Sequence, residues 1–83
     1  MSQTLGVYLG QCREIKNLTL REVEQGAEVS NGYLNQLEKG NVKSPSPHIL
    51  YKLANFYKVP YEHLLRLAGY IVPKNEKARK EVA

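Results

Sequence analysis

The sequence predicts an all-α domain of five short helices. Apolar residues recur at helical spacing in five segments, and Ser, Thr, Pro and Gly stand where helices typically begin and end. No segment alternates polar and apolar residues as a half-buried strand would. With 83 residues, the chain is long enough for one domain, and so small a core needs apolar side chains from every helix.

Composition argues against several classes of protein. No apolar run is long enough to cross a membrane, and the first residues lack the basic and apolar segments of a secretory signal. The single cysteine, Cys12, cannot form an internal disulfide, which is consistent with a cytoplasmic protein. The net charge of +4 is mildly basic, so charge alone does not indicate a nucleic-acid partner.

The first two helices follow from apolar spacing and from a capping pattern. The first helix, at about residues 5–16, is indicated by three apolar positions: Leu5, Leu9 and Cys12. The second helix begins at Thr19, because Thr19 and Glu22 match a capping box in which each side chain bonds the other's backbone amide. Gly26 either permits close packing of helices or begins the following turn.

The third helix begins at Ser30, which is a preferred N-cap residue. It is expected to end at Lys39, with Gly40 as the C-terminal glycine. The segment that follows contains two Ser-Pro pairs, which disfavour helix and predict a loop.

The fourth helix begins at Ser46 and Pro47 and is the most apolar of the five, so we expect it to form the centre of the core. Its apolar residues are Ile49, Leu50, Leu53, Ala54, Phe56 and Tyr57. A fifth helix spans about residues 61–68 and is closed by Gly69. Three tyrosines stand at core-type positions and are interpreted as structural: Tyr51, Tyr57 and Tyr61.

The third helix has one apolar face and one polar face. Stepping ~100° per residue puts five residues on the side opposite the apolar sector. They are Asn31, Gly32, Asn35, Gln36 and Lys39. Amide side chains can pair with the edge of adenine in the DNA major groove, and a glycine lets the backbone approach closely. The alternative is that these amides form an ordinary solvated face.

Read together, these segments resemble the helix-turn-helix domain of the Cro/C1 (XRE) family, to which the lambdoid phage repressors belong. The resemblance covers residues 5 to about 69 in the family's order and spacing. It rests on Leu5, Leu9 and Arg13; on Leu18, Thr19, Glu22 and Val23; on Val29 and Ser30; on residues 33–40 (YLNQLEKG); and on Leu53, Ala54, Val59, Leu64 and Leu65.

The resemblance implies a lambda repressor-like five-helix bundle whose third helix reads DNA. The base-reading positions would be Asn31, Gly32, Asn35 and Gln36. The DNA-backbone positions would be Thr19, Arg21, Lys39, Asn41, Lys43 and Ser44. It also implies a structural ion pair between Arg13 and Glu38. The DNA-binding domain is expected at residues 1–73, with the helix-turn-helix unit at about 19–40 and a flexible charged tail at 74–83.

The sequence departs from the family pattern at three positions. Glu24 replaces the usual alanine and Glu28 replaces the usual glycine of the turn. Leu20 stands where many members carry a polar residue that touches phosphate. A carboxylate at either glutamate position would repel phosphate if it faced DNA.

The sequence gives little evidence for a catalytic or a metal site. His48 and His63 lie far apart and have no Cys or carboxylate at metal-ligand spacing. Cys12 lies on an apolar stripe and is interpreted as a small buried hydrophobe, with a reactive thiol as the alternative. We therefore expect no enzyme activity, no metal and no cofactor.

The sequence thus predicts a sequence-specific DNA-binding transcriptional regulator, and repression is the expected mode of regulation. It would bind double-stranded DNA at a palindromic operator as a homodimer, because so small a module contacts few base pairs. The expected dimer surface is Tyr70, Ile71 and Val72 with the exposed side of the fifth helix. The alternative is a protein-interaction module, an antitoxin or anti-repressor, whose partner is another protein.

Overall fold

The computed structural model describes residues 4–72, and these residues form five helices with no strand among them. The helices are α1 (Leu5–Ile15), α2 (Leu20–Ala27), α3 (Asn31–Glu38), α4 (Pro47–Tyr57) and α5 (Tyr61–Leu67). The all-α prediction is therefore confirmed. The predicted tail at residues 74–83 lies outside the described residues.

Four of the five helices begin at a Ser or Thr whose hydroxyl oxygen accepts a backbone N–H, whereas α5 begins after Pro60 without a side-chain cap. The predicted capping box is present: Thr19 Oγ1 accepts from the Glu22 N–H at 3.1 Å, and Glu22 Oε1 accepts from the Thr19 N–H at 2.8 Å. Ser30 and Ser46 each accept from the backbone N–H three residues on, at 3.2 Å. Thr4 caps α1 in the same way, although the sequence pattern did not single it out.

Packing joins α3 to the two helices that precede it. It packs against both α1 and α2, while α4 packs against α2 and α5. The buried apolar residues come from all five helices and from the turn before α3. They are Leu5, Leu9, Val23, Ala27, Val29, Leu34, Leu37, Leu50, Leu53, Ala54, Tyr57 and Leu64.

Helix α4 supplies more of this core than any other helix, as the sequence predicts. Its residues Leu50, Leu53, Ala54 and Tyr57 are buried, whereas Ile49 and Phe56 are half-buried at the edge. The expectation for Tyr51 was wrong, because its side chain is 52% exposed. Tyr51 packs edge-on against Tyr61, with ring centroids 5.3 Å apart, on the surface of the domain.

Two glycines permit close contacts between helices. A Cβ at Gly6 would lie 2.6 Å from the carbonyl oxygens of Leu37 and Glu38, so α1 approaches the backbone of α3 directly. A Cβ at Gly26 would collide with the ring of Phe56. Of the two interpretations of Gly26, close packing is therefore the observed one, since the residue also lies inside α2.

Candidate nucleic-acid interface

The turn between α2 and α3 fixes the direction in which α3 points. Glu28 adopts the left-handed conformation, with φ 61° and ψ 42°, and its N–H donates to the Glu24 carbonyl at 2.9 Å. Val29 then inserts into the core, and Ser30 caps α3. A glutamate thus adopts the conformation that the family's usual glycine adopts without steric cost.

An ion pair holds the end of α3 against α1. Arg13 Nε donates to Glu38 Oε2 and Arg13 Nη2 donates to Glu38 Oε1, both at 2.9 Å. The third nitrogen, Nη1, donates to the Leu18 carbonyl at 2.9 Å. The two side chains are only 21% and 14% exposed, so the pair is largely shielded from solvent. It sets the position of α3 relative to the first helix.

The opposite side of α3 carries the predicted base-reading residues. Gly32 and Gln36 are exposed, and Asn31 and Asn35 are half-buried. A Cβ built on Gly32 meets no atom of the described residues within 4 Å, so this position has room for a closely approaching partner. We call these four residues the outer face of α3.

Two of the amides on the outer face are already hydrogen-bonded within the domain. Asn31 Nδ2 donates to Glu24 Oε1 at 2.6 Å, across the turn from α2. Asn41 Nδ2 donates to Gln36 Oε1 at 2.8 Å, from the loop that follows α3. Sequence reasoning missed both contacts, since Glu24 stood out only as a departure from the family pattern and Asn41 only as a backbone contact.

The predicted DNA-backbone residues occupy two places. Thr19 and Arg21 are exposed at the start of α2, where the Thr19 hydroxyl oxygen already accepts the capping bond. Its O–H therefore remains available to donate. The others lie at the end of α3 and in the following loop, where all four are exposed: Lys39, Asn41, Lys43 and Ser44. Lys39 and Lys43 line one cleft together with the first turn of α1.

The C-terminal segment is anchored beneath that loop. Tyr70 Oη donates to the carbonyl of Pro45 at 2.9 Å, and Pro45 is fully buried. Tyr70 therefore packs within its own domain. Ile71, by contrast, is 96% exposed, which leaves it as the apolar surface of the predicted dimer segment.

Alternative chemistry gains no support from the geometry. Burial raises the pKa of the Cys12 thiol, so less of it is thiolate at neutral pH than in a free cysteine. The His63 ring packs edge-on against Tyr8, with centroids 4.8 Å apart. Among residues 4–72, no three His, Cys, Asp or Glu side chains are grouped as metal ligands would be. No helix in that range is long and apolar enough to cross a membrane.

Comparison with known proteins shows the family to which this chain belongs. Residues 9–64 match the helix-turn-helix family, and the chain belongs to that family, in its Cro/C1 (XRE) type. Members of the family are DNA-binding transcription regulators, which points to a non-enzymatic role.

Several transcriptional regulators are similar to this chain. The HTH-type transcriptional repressor RghR of Bacillus subtilis (strain 168) is 34% identical over 74 residues, which are 89% of this chain and 55% of that protein. The uncharacterised HTH-type transcriptional regulator RghRB of the same strain is 32% identical over 75 residues, 90% of this chain and 54% of that protein.

The transcriptional regulator ClgR of Mycobacterium tuberculosis (strain ATCC 25618 / H37Rv) is 33% identical over 75 residues, 90% of this chain and 66% of that protein. This chain therefore spans between about half and two thirds of the length of these relatives.

Proposed function

We propose that this domain is a sequence-specific DNA-binding transcriptional repressor of the cytoplasm. It inserts α3 into the major groove of a palindromic operator and binds as a homodimer. The observation that carries this proposal is the outer face of α3, where the unobstructed Gly32 lies among amides on a helix whose other side is fixed in the core. A backbone that can approach base edges and amides that can pair with them are what major-groove readout requires.

The surrounding charges support the same orientation. Lys39 and Lys43 are exposed at the end of α3 and in the next loop, where they can contact DNA phosphates. We choose repression over activation because one similar protein, RghR, is named a transcriptional repressor. Two copies would place their α3 helices about one DNA turn apart, ~34 Å.

The first test is selection from a pool of random duplex DNA at near-physiological salt. We expect enrichment of a palindrome with half-sites centred about one turn apart, ~34 Å. Absence of any enriched sequence, with only weak salt-sensitive binding, would contradict the proposal and favour the protein-interaction alternative.

Two variants separate base reading from phosphate contact. Gln36→Ala should lower affinity for the enriched sequence by about tenfold while leaving nonspecific binding unchanged. Lys43→Ala should weaken binding to all sequences and reduce the slope of log K against log salt by about 1. If Gln36→Ala weakens binding to all sequences equally, the outer face does not read bases.

The homodimer is tested at Ile71, the exposed apolar residue after α5. Ile71→Asp should shift the sedimentation equilibrium from dimer to monomer and abolish cooperative binding to the two half-sites. The matched control is Ile15→Asp. Ile15 is also an exposed isoleucine, with 81% of its surface accessible, but it lies at the end of α1. An unchanged mass for Ile71→Asp would place the dimer surface elsewhere.

A further inference from the structure

Glu24 is half-buried near the N-terminus of α3. It is the hydrogen-bond partner of Asn31, the first of the proposed base-reading residues. Its Oε1 accepts from Asn31 Nδ2 at 2.6 Å, which is short for a bond between an amide and a carboxylate. A charge-assisted bond of this kind is roughly twice as strong as one between neutral groups. The Asn31 side chain is therefore held in one place before any partner arrives.

The chemistry of the carboxylate also fixes which way the amide faces. An ionised carboxylate only accepts hydrogen bonds, so Asn31 must turn its NH₂ group toward Glu24. The carbonyl Oδ1 leaves the amide carbon in a different direction, and no described residue donates to it. Asn31 thus presents an acceptor to the outside of the domain.

We infer that Glu24 is a specificity-determining residue, which orients Asn31 so that this position reads the exocyclic amine of adenine or cytosine and rejects guanine and thymine. In the major groove adenine N6 and cytosine N4 are donors, whereas guanine O6 and thymine O4 are acceptors. An outward Oδ1 pairs with the first two and repels the last two. This inference rests on the proposed function, because it assigns a base preference to the outer face of α3.

The negative charge of Glu24 has a second consequence. A carboxylate close to the DNA repels phosphate, so it lowers affinity for every sequence while it sharpens the choice at one base. Removing the carboxylate should therefore raise general affinity and relax specificity together. A residue that only stabilised the turn would give the opposite result on affinity, because its loss would weaken all binding.

Glu24→Gln is the decisive variant. Glutamine keeps the size and the hydrogen bond, but its amide can either accept from Asn31 Nδ2 or donate to Asn31 Oδ1, so Asn31 is free to face either way. The control is Glu28→Gln, which makes the same charge change four residues later, at the C-cap of α2. The Glu28 side chain is exposed and has no described contact with Asn31.

The experiment is selection and sequencing of bound duplexes with the wild type, Glu24→Gln, Glu28→Gln and Asn31→Ala. The position whose preference disappears in Asn31→Ala is the one that Asn31 reads. There the wild type and Glu28→Gln should favour adenine or cytosine by about tenfold, the size of one base-edge contact. Glu24→Gln should reduce this preference to about twofold and bind nonspecific duplex DNA several-fold more tightly than the wild type, and more tightly than Glu28→Gln.

The outcomes separate the two levels of the proposal. If the wild type enriches no sequence, the DNA-binding function itself is wrong and the role of Glu24 falls with it. If the wild type enriches an operator and Glu24→Gln has the same base preference at the Asn31 position, the operator-binding function stands and the inference about Glu24 is overturned. A wild-type preference for guanine or thymine at that position would also overturn it.

Discussion

The two faces of α3 have opposite relations to the rest of the domain, although they belong to one eight-residue helix. On the inner face, Leu34 and Leu37 are each only 2% exposed, and the backbone touches α1 at Gly6. On the outer face, Gly32 has no described atom near the place of its missing Cβ. Two glycines thus serve different purposes: the first allows two helices to meet, and the second leaves room for something outside the domain.

The largest effect on stability is expected where the inner face of α3 contacts α1. Gly6→Ala would place a Cβ against two backbone carbonyls of α3, which cannot move aside as a flexible side chain can. We expect a loss of about 3 kcal/mol in the free energy of unfolding, measured by urea denaturation.

Gly10→Ala is the matched control for Gly6→Ala. A Cβ at Gly10 lies 3.6 Å from the nearest described atom, Glu38 Oε1, which is an ordinary contact. This variant should be as stable as the wild type or up to ~1 kcal/mol more stable, because alanine favours helix. Equal losses for the two variants would mean that α1 does not approach α3 as described.

The next largest effect on stability is expected from the ion pair between Arg13 and Glu38, which also joins α3 to α1. Glu38→Gln should lower the free energy of unfolding by ~2 kcal/mol, between the values for fully buried and surface pairs, because it leaves the Arg13 guanidinium without a charged partner. Arg66→Gln removes the exposed pair with Glu62 at 3.9 Å and should change stability by less than ~0.5 kcal/mol. Comparable changes in the two thermal denaturation curves would argue that the Arg13–Glu38 pair has no special structural role.

On the outer face, stability and binding should move in opposite directions. Gly32→Ala fills open space with a methyl group and increases helix propensity, so the free energy of unfolding should rise by up to ~1 kcal/mol. If DNA approaches this position closely, affinity for the selected operator should fall by roughly tenfold. Both quantities are measured on the same preparation, by denaturation and by fluorescence anisotropy. A more stable variant that binds the operator as tightly as the wild type would remove Gly32 from the interface.

The smallest effect is expected in the turn that joins the two helices. Glu28→Gly should raise the free energy of unfolding by about 0.5 kcal/mol, because glycine adopts the left-handed conformation at φ 61° without steric cost but gains freedom in the unfolded chain. Glu28→Ala retains a Cβ and should give no such gain. The urea midpoint with an unchanged slope is the measurement. A loss of stability in Glu28→Gly would mean that the glutamate side chain itself supports the turn.

The two hydrogen-bonded amides on the outer face, Asn31 and Gln36, differ in how firmly their hydrogen-bond partners fix their orientation. Gln36 and Asn41 are both amides, so the two can reverse their orientations together and still share a hydrogen bond. Asn31 cannot reverse without losing its bond to the Glu24 carboxylate. We therefore expect Asn31 to keep one orientation and its position to prefer one class of base strongly.

The sequence by itself determined the helices and most of their ends. Capping at Thr19, Ser30 and Ser46 depends on contacts three residues apart, which a linear pattern contains in full. The terminal glycines Gly40 and Gly69 are equally local, and both adopt positive φ. The apolar spacing of α4 likewise fixed the centre of the core, since a helix with that pattern must bury it.

Tertiary structure decided which residues meet across helices. The contact of Gly6 with α3 and the bond of Glu24 to Asn31 depend on how two helices cross, and a list of residues does not contain the crossing geometry. The exposure of Tyr51 was misjudged for the same reason, because its neighbours in sequence are buried while its own side of α4 faces outward. The sequence thus predicted α3 as the helix that carries the site, and only the packing around it showed how two of its amides, Asn31 and Gln36, are held.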